Sequence, residues 1–133
     1  MNSNARQRDD GDHQVTILVV EDEGPIRQIV KTSLEAHGHC VVTAGDAEEA
    51  LELAEQHSGP IDLVVTDMLL PGMSGADMIR RLVAARPALN VIYISGYLGG
   101  NTTMPGSPNG TMQYLPKPFT PRELLEVVRT IIG

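Results

Sequence analysis

The chain has 133 residues, of which 41% are hydrophobic, and its formal net charge is −7. This size and apolar content predict one domain with one core, and the acidic balance argues against direct binding to nucleic acid or to an anionic membrane. A single cysteine excludes an internal disulfide, and no secretory or membrane-spanning apolar run is present, so we expect a cytoplasmic protein that meets other proteins.

The amino-terminal segment differs in composition from the rest of the chain. Residues 1–14, MNSNARQRDDGDHQ, are polar and show no apolar periodicity, so we interpret them as a flexible leader and residues 15–133 as the domain. Within the domain, short β-branched runs alternate with amphipathic segments. Five strands are predicted, at Thr16 to Val20, Cys40 to Ala44, Leu63 to Thr66, Val91 to Ser95 and Met112 to Leu115.

Amphipathic segments separate most of these strands. Four helices are predicted, at Gly24 to His37, Glu48 to His57, Ala76 to Arg86 and from Pro121 onward. Their expected inner faces carry apolar side chains at helical spacing: Ile26, Ile29, Val30, Leu34, Ala50, Leu51, Ala54, Met78, Ile79, Leu82, Val83, Leu124, Leu125, Val128, Ile131 and Ile132. Gly38 supplies a left-handed helix end, and Thr120 can cap the last helix. The alternation predicts an α/β fold, a parallel sheet with helices on both faces.

Two further expectations concern single features. The segment from Leu98 to Thr111 is rich in glycine and proline and has little apolar periodicity, so we predict a long loop there. Cys40 lies inside an apolar strand, and we expect a buried, inert thiol.

Polar groups follow the predicted strands at the edge where an open parallel sheet forms its crevice. Glu21 and Asp22 follow the first strand, Asp67 the third, Ser95 ends the fourth, and Lys117 follows the fifth. Three ionised carboxylates brought together repel one another unless a cation lies among them. Mg²⁺ is favoured because it takes few hard oxygen ligands and accepts a phosphate oxygen as another.

Such a site suits phosphoryl transfer, in which the protein mainly positions a nucleophile and neutralises charge. Asp67 is the predicted nucleophile, and Glu21 and Asp22 are predicted to hold the metal. Lys117 and Ser95 would contact the phosphoryl oxygens. Each residue alone also suits a structural role, as a helix cap, a turn acid, a surface lysine or a strand-end hydroxyl. Their conjunction at four strand ends favours the functional interpretation.

Four motifs resemble the receiver domain of two-component response regulators. They are ILVVEDE at Ile17 to Glu23, LVVTDMLLPGMSG at Leu63 to Gly75, YISGY at Tyr93 to Tyr97, and YLPKPF at Tyr114 to Phe119. The resemblance implies a flavodoxin-like fold with strand order 2-1-3-4-5. It also implies a phosphoryl group received from a histidine kinase or a histidine phosphotransfer protein.

Carried over by position, the resemblance assigns a role to each matching residue. Mg²⁺ would be held by Glu21, Asp22, Asp67 and the backbone carbonyl of Leu69. Asp67 would accept the phosphoryl group, Lys117 would bind it, and Ser95 and Tyr114 would form the conformational switch. The resemblance also implies a cis bond between Lys117 and Pro118. It implies a helix between the fourth and fifth strands, where this chain has the predicted loop.

We therefore expect a signalling switch that controls a protein partner, rather than a turnover enzyme. One alternative is a Mg²⁺-dependent phosphatase that forms an aspartyl phosphate, but such enzymes place a general acid two residues after the nucleophile, where this chain has Leu69. Another is an interaction module that has lost its switch, suggested by the missing helix. The motifs are compatible with a free-standing regulator and with a segment of a larger hybrid kinase.

Overall fold

A computed structural model describes residues 14–96 and 104–132, which contain a five-stranded parallel sheet. The strands are β1 (Thr16–Val20), β2 (Cys40–Ala44), β3 (Leu63–Asp67), β4 (Asn90–Ser95) and β5 (Met112–Pro116). Their order in the sheet is β2-β1-β3-β4-β5, which confirms the expected topology. Apart from Gln14, the predicted leader lies outside the described residues.

Four helices connect or follow these strands in the described part of the chain: α1 (Gly24–Ala36), α2 (Ala47–Gln56), α3 (Gly75–Ala85) and α4 (Pro121–Ile132). Gly38, with φ of 87°, follows the end of α1 as predicted. Thr120 caps α4 in a reciprocal pair with Glu123, each side chain accepting from the other residue's N–H. None of these helices has the length and apolar character needed to cross a bilayer.

The helices cover both faces of the sheet, as predicted. Successive residues of a strand point to opposite faces. Leu18 therefore packs in the cluster that includes α2 and α3, whereas Ile17 and Val19 pack in the cluster that includes α1 and α4. β1 is buried along its whole length because it lies inside the sheet between β2 and β3. Burial on both faces explains why its sequence, TILVV, is continuously apolar after its first residue.

Two burial predictions were wrong. Ile29 was expected on the inner face of α1 but is 52% exposed, because α1 buries the stripe formed by Val30 and Leu34. Cys40 is only partly buried, because β2 is the edge strand and most of its residues remain partly accessible.

The connection between β4 and β5 contains no helix in its described part. Of the loop predicted from Leu98 to Thr111, residues 104–111 are described and form turns and irregular structure. We call residues 104–111 the strap. Its second half is fixed by the Asn109 N–H, which donates to Pro87 O at 3.1 Å, and by the Thr111 N–H, which donates to Asn90 Oδ1 at 2.9 Å.

Two tyrosines hold the first half of the strap. Tyr93 of β4 donates its hydroxyl to Pro105 O at 2.6 Å, and the hydroxyl of Tyr114 on β5 accepts from Met104 N–H at 3.2 Å. The two rings stack with centroids 5.9 Å apart. Burial raises the pKa of Tyr93 above its ordinary value of 10.0, so its hydroxyl keeps the proton that it donates. The strap is thus attached by side chains of the two strands that it joins.

Candidate functional site

Asp67 is the last residue of β3 and lies at the carboxyl-terminal edge of the sheet. Asp67 is only 7% exposed to solvent. One carboxylate oxygen, Oδ1, accepts from Leu69 N–H at 3.0 Å, and the other, Oδ2, accepts from Lys117 Nζ at 2.9 Å. The carboxylate is therefore held on both oxygens, by a backbone amide and by an ammonium group.

The first residue of α3, Gly75, packs against the backbone of Asp67. A Cβ added at Gly75 would lie 3.0 Å from Met68 O and 2.9 Å from Asp67 O, and the second distance is shorter than real Cβ atoms show. The absence of a side chain lets the amino-terminal end of α3, capped by Ser74, approach the end of β3 closely. No periodicity in the sequence indicates this contact, because it joins the end of a strand to the start of a helix.

Two more acids from the β1–α1 turn complete an acidic cluster. Ligand oxygens of Glu21, Asp22 and Asp67 all lie within 4.8 Å of one another. Asp22 is exposed and does not cap α1, whose first turn follows Glu23 without a side-chain cap. Glu21 is 1% exposed, and its Oε2 accepts from Glu23 N–H at 3.1 Å. Its second oxygen, Oε1, is buried without a hydrogen-bond partner.

The electrostatics of the cluster are set by burial and by one lysine. Burial raises the pKa of Glu21 from 4.5 to about 7, although the Glu23 amide and the charge of Lys117 act in the opposite direction. For Lys117, burial alone would lower the pKa. The hydrogen bond to Asp67 and the attraction of the Glu21 carboxylate more than offset burial, so the pKa of Lys117 is raised above 10.5. The site thus combines excess negative charge with one firmly protonated ammonium.

The donor set fits a small divalent cation. Glu21 Oε1 is a buried oxygen that lacks a hydrogen bond, and the nearest ammonium, Lys117 Nζ, lies 3.9 Å away. Buried polar atoms normally have hydrogen-bond partners. A buried carboxylate oxygen that lacks one and lies beside two other acids is therefore suited to bind a metal ion. Carboxylate oxygens suit Mg²⁺, whereas zinc prefers thiolate and imidazole, which the cluster of Glu21, Asp22 and Asp67 does not offer.

The other predicted residues occupy two places. Ser95 ends β4, is 7% exposed, and accepts the backbone N–H of Lys117 on its carbonyl oxygen at 2.7 Å, so it borders the site. Tyr114 lies further back on β5, opposite Tyr93. The side chain of Leu69 is 84% exposed and its amide faces Asp67, while a metal-binding role for its carbonyl stays a prediction. The bond between Lys117 and Pro118 is cis, as expected.

One site neighbour was missed by the sequence analysis. Arg27 of α1 donates from Nη1 to Glu21 O at 2.8 Å. Arginine at this position of an amphipathic helix resembles an ordinary solvated residue, and no sequence pattern shows that its side chain turns back towards the preceding strand end.

Comparison with known families agrees with this geometry. The sequence model described as "Response regulator receiver domain" matches residues 17–129. The chain belongs to this family. Receiver domains are the phosphoacceptor switches of two-component signalling, so the family assignment accounts for an acidic cluster with a lysine at the end of a parallel sheet.

Two relatives of this receiver domain show how the family is used in longer proteins. The chain is 32% identical over 117 residues to the sensor kinase CckA of Brucella abortus, covering 88% of this chain and 12% of that protein. It is 36% identical over 118 residues to the DNA-binding transcriptional regulator NtrC of Azospirillum brasilense, covering 89% and 24%. The chain thus spans at most a quarter of the length of these two relatives.

Solved receiver domains have the same architecture. The receiver domain of the hybrid histidine kinase CckA is similar with a TM-score of 0.74 and 34% identity, over 86% of this chain and 96% of that one. The BeF3-activated DrrB receiver domain gives a TM-score of 0.76 with 28% identity, over 90% and 98%. The five-stranded fold of this receiver domain is therefore the family's own fold.

Proposed function

We propose that Asp67 accepts a phosphoryl group from a phosphohistidine of a histidine kinase or histidine phosphotransfer protein, in a Mg²⁺-dependent reaction. One observation carries this proposal. The Asp67 carboxylate lies at a strand end with Lys117 Nζ at 2.9 Å and with two further acids whose oxygens lie within 4.8 Å. A nucleophile beside a fixed cation and a metal-binding acid pair is what phosphoryl transfer requires.

The metal would be held by Glu21, Asp22, Asp67 and the backbone carbonyl of Leu69. When bound, Mg²⁺ offsets negative charge on the acids and on the incoming phosphoryl oxygens. The buried Oε1 of Glu21 supports this assignment, because it has no hydrogen-bond partner and a cation would supply one.

The remaining chemistry belongs to the chain. A carboxylate oxygen of Asp67 attacks phosphorus, the P–N bond of the donor breaks, and its electron pair returns to the imidazole nitrogen. The product is an acyl phosphate on Asp67. Lys117 supplies positive charge to the phosphoryl oxygens, and the hydroxyl of Ser95 donates a hydrogen bond to one of them. The Leu69 N–H keeps the carboxylate aligned during the attack.

Phosphorylation would change the charge at one edge of the sheet and bias the conformation of the domain. Ser95 and Tyr114 are the residues proposed to respond. Tyr114 is bonded to Met104 of the strap, so a rotation of its ring breaks that bond and alters the strap. We propose that this change controls a protein partner in the cytoplasm. The domain would phosphorylate itself and lose the phosphate slowly, without turning over a separate substrate.

Labelling with acetyl phosphate tests the proposal. With Mg²⁺, the intact protein should gain about 80 Da, the mass of one phosphoryl group on a single acceptor. The gain should vanish in EDTA and in Asp67→Asn. Asp62→Asn is a matched control, because Asp62 also uses its carboxylate to accept a backbone N–H, from Thr16 at 2.9 Å, but at the other end of β3. Labelling that persists in Asp67→Asn, or is absent from the wild type, contradicts the proposal.

A further inference from the structure

The buried acid of the cluster, Glu21, is restrained at three points. Its N–H donates to Ala44 O at 3.1 Å, its Oε2 accepts from Glu23 N–H at 3.1 Å, and its carbonyl oxygen accepts from Arg27 Nη1 at 2.8 Å. The first is a continuation of the β1–β2 pairing, and the second is local to the turn. Only the third hydrogen bond comes from a side chain, that of Arg27, which extends back towards Glu21 from the first turns of α1.

The surroundings of Arg27 indicate that this bond is its main interaction. Its guanidinium lies between the first residue of α1 and the residue after β2, since a Cβ added at Gly45 would lie 3.6 Å from Nη1 and one at Gly24 would lie 3.7 Å from Nη2. The Arg27 side chain is partly buried. No ion pair joins it to an acid within residues 14–96 and 104–132. The guanidinium is therefore used to hold a carbonyl group rather than to neutralise a particular carboxylate.

The buried position of the Glu21 carboxylate is energetically unfavourable, so another interaction must stabilise it. Its Oε1 is buried without a hydrogen bond and is turned towards Lys117 and the other acids. A buried charged oxygen without a partner is unfavourable, so an unrestrained turn would swing it towards water. A charge-assisted bond from an arginine to the carbonyl of the same residue opposes that movement.

We propose that Arg27 is a positioning residue for the metal-binding acids: by fixing the Glu21 carbonyl, it keeps the β1–α1 turn in the conformation in which Glu21 and Asp22 face Asp67. This inference rests on the proposed function, because it assumes that these acids bind Mg²⁺. Removing a residue that orients a metal ligand typically weakens metal binding about 10–100-fold. Arg27 acts on a backbone carbonyl rather than on a ligand atom, so we expect the lower end of that range.

Three variants separate positioning from general stability. Arg27→Met keeps an apolar stem but has no donor, and it should raise the Kd for Mg²⁺ about tenfold. Arg27→Lys keeps a cation and a donor on a stem of similar length, and it should recover most of the affinity. Arg86→Met is the matched control, because Arg86 also donates to backbone carbonyls, those of Ala54, His57 and Gly59, but far from the acids. It should lower stability and leave the Kd unchanged.

The measurement is a Mg²⁺ titration of the full chain, followed by amide ¹H–¹⁵N shifts of Glu21, Asp22 and Asp67. A wild type without saturable shifts contradicts the proposed function itself. A wild type that binds Mg²⁺ while Arg27→Met binds equally well overturns the inference alone. Equal weakening in Arg27→Met and Arg86→Met also overturns it, because the effect is then one of stability. If Arg27→Met does not fold, Arg27→Gln, whose donors fall short of the carbonyl, gives the same comparison.

Discussion

Replacing Tyr93 with phenylalanine isolates one of the bonds that attach the strap to the sheet. The Tyr93 residue is 0% exposed, and its hydroxyl donates to Pro105 O at 2.6 Å. Because burial raises the pKa of Tyr93, the hydroxyl remains a donor at neutral and moderately alkaline pH. Phenylalanine fills the same ring space, so the substitution removes the hydrogen bond while the packing against Tyr114 is retained.

The expected loss follows from the surroundings of the bond. A neutral hydrogen bond contributes about 0.5–1.5 kcal/mol net, and a buried group left unpaired costs about 1–3 kcal/mol. Pro105 is partly exposed, so water can reach its carbonyl in the variant, and we expect a loss of about 1.5 kcal/mol. With an unfolding entropy of about 2.1 cal/mol/K per residue, this loss lowers the Tm by about 5 °C.

Tyr114→Phe provides the matched comparison. Its bond to Met104 N–H is longer, 3.2 Å, and the ring is only partly buried, so the expected loss is smaller, about 0.5–1 kcal/mol. Both bonds hold adjacent residues of the strap. When one hydrogen bond is removed, the strap is already loosened and the other bond stabilises it less. The double variant should therefore lose less stability than the sum of the two single variants, by about 0.5 kcal/mol or more.

Urea unfolding followed by circular dichroism measures all four proteins, since the chain has no tryptophan to report fluorescence. Hydrogen exchange of the Met104 amide reports the strap locally and should be accelerated in Tyr114→Phe. A Tyr93→Phe protein within about 0.3 kcal/mol of the wild type would refute the claim that this bond anchors the strap, and so would strictly additive losses in the double variant.

Three shorter predictions concern other positions. In EDTA, Glu21→Gln should raise the free energy of unfolding by about 1 kcal/mol, because burial disfavours the charged carboxylate that it removes. Mg²⁺ should then no longer raise its Tm, and an unchanged response to Mg²⁺ contradicts this. Gly75→Ala should destabilise by about 1–3 kcal/mol in thermal melts and reduce labelling of Asp67, since its Cβ meets backbone at 2.9 Å; wild-type stability and labelling contradict this. Burial and repulsion from His37 lower the pKa of His39 below 6.5, so the unfolded chain binds protons more readily and stability falls as the pH drops through that value. His39→Gln should therefore lose less stability than the wild type between about pH 7.5 and about pH 5 in urea unfolding, and parallel pH profiles contradict the assignment.

Much of the fold could be predicted because every strand either is buried on both faces or lies next to a strand that is buried on both faces. The run TILVV at β1 has one physical interpretation, a central strand of a covered parallel sheet, and the structure confirms it. The three acids, Ser95 and Lys117 could then be predicted to lie together from position alone, because polar groups at the carboxyl ends of neighbouring strands are brought to one edge, whereas Leu69 and Tyr114 were assigned only by the family resemblance. The structure places Glu21, Asp22 and Asp67 together with Lys117 in this way.

What could not be predicted depends on side-chain direction and on contacts distant in sequence. Periodicity indicates which side of α1 is apolar but not how wide the buried stripe is, and Ile29 falls outside it. Adjacent acids look alike in sequence, yet Glu21 is buried and Asp22 is exposed. The Tyr93 bond to Pro105 joins residues across a glycine- and proline-rich segment for which composition predicts only the absence of a helix.

The placement of the strap relative to the acidic cluster bears on how the proposed switch would work. The acids, Lys117 and Ser95 belong to strand ends and the turns beyond them, so their positions do not depend on what joins β4 to β5. Residues two apart on a strand point to the same face and lie about 7 Å apart. Ser95 therefore shares its face of β4 with Tyr93, which bonds the strap directly. Under the proposed function, a displacement at Ser95 therefore has to travel only two residues along β4 to reach Tyr93 and the strap, so this output would not require a helix between β4 and β5.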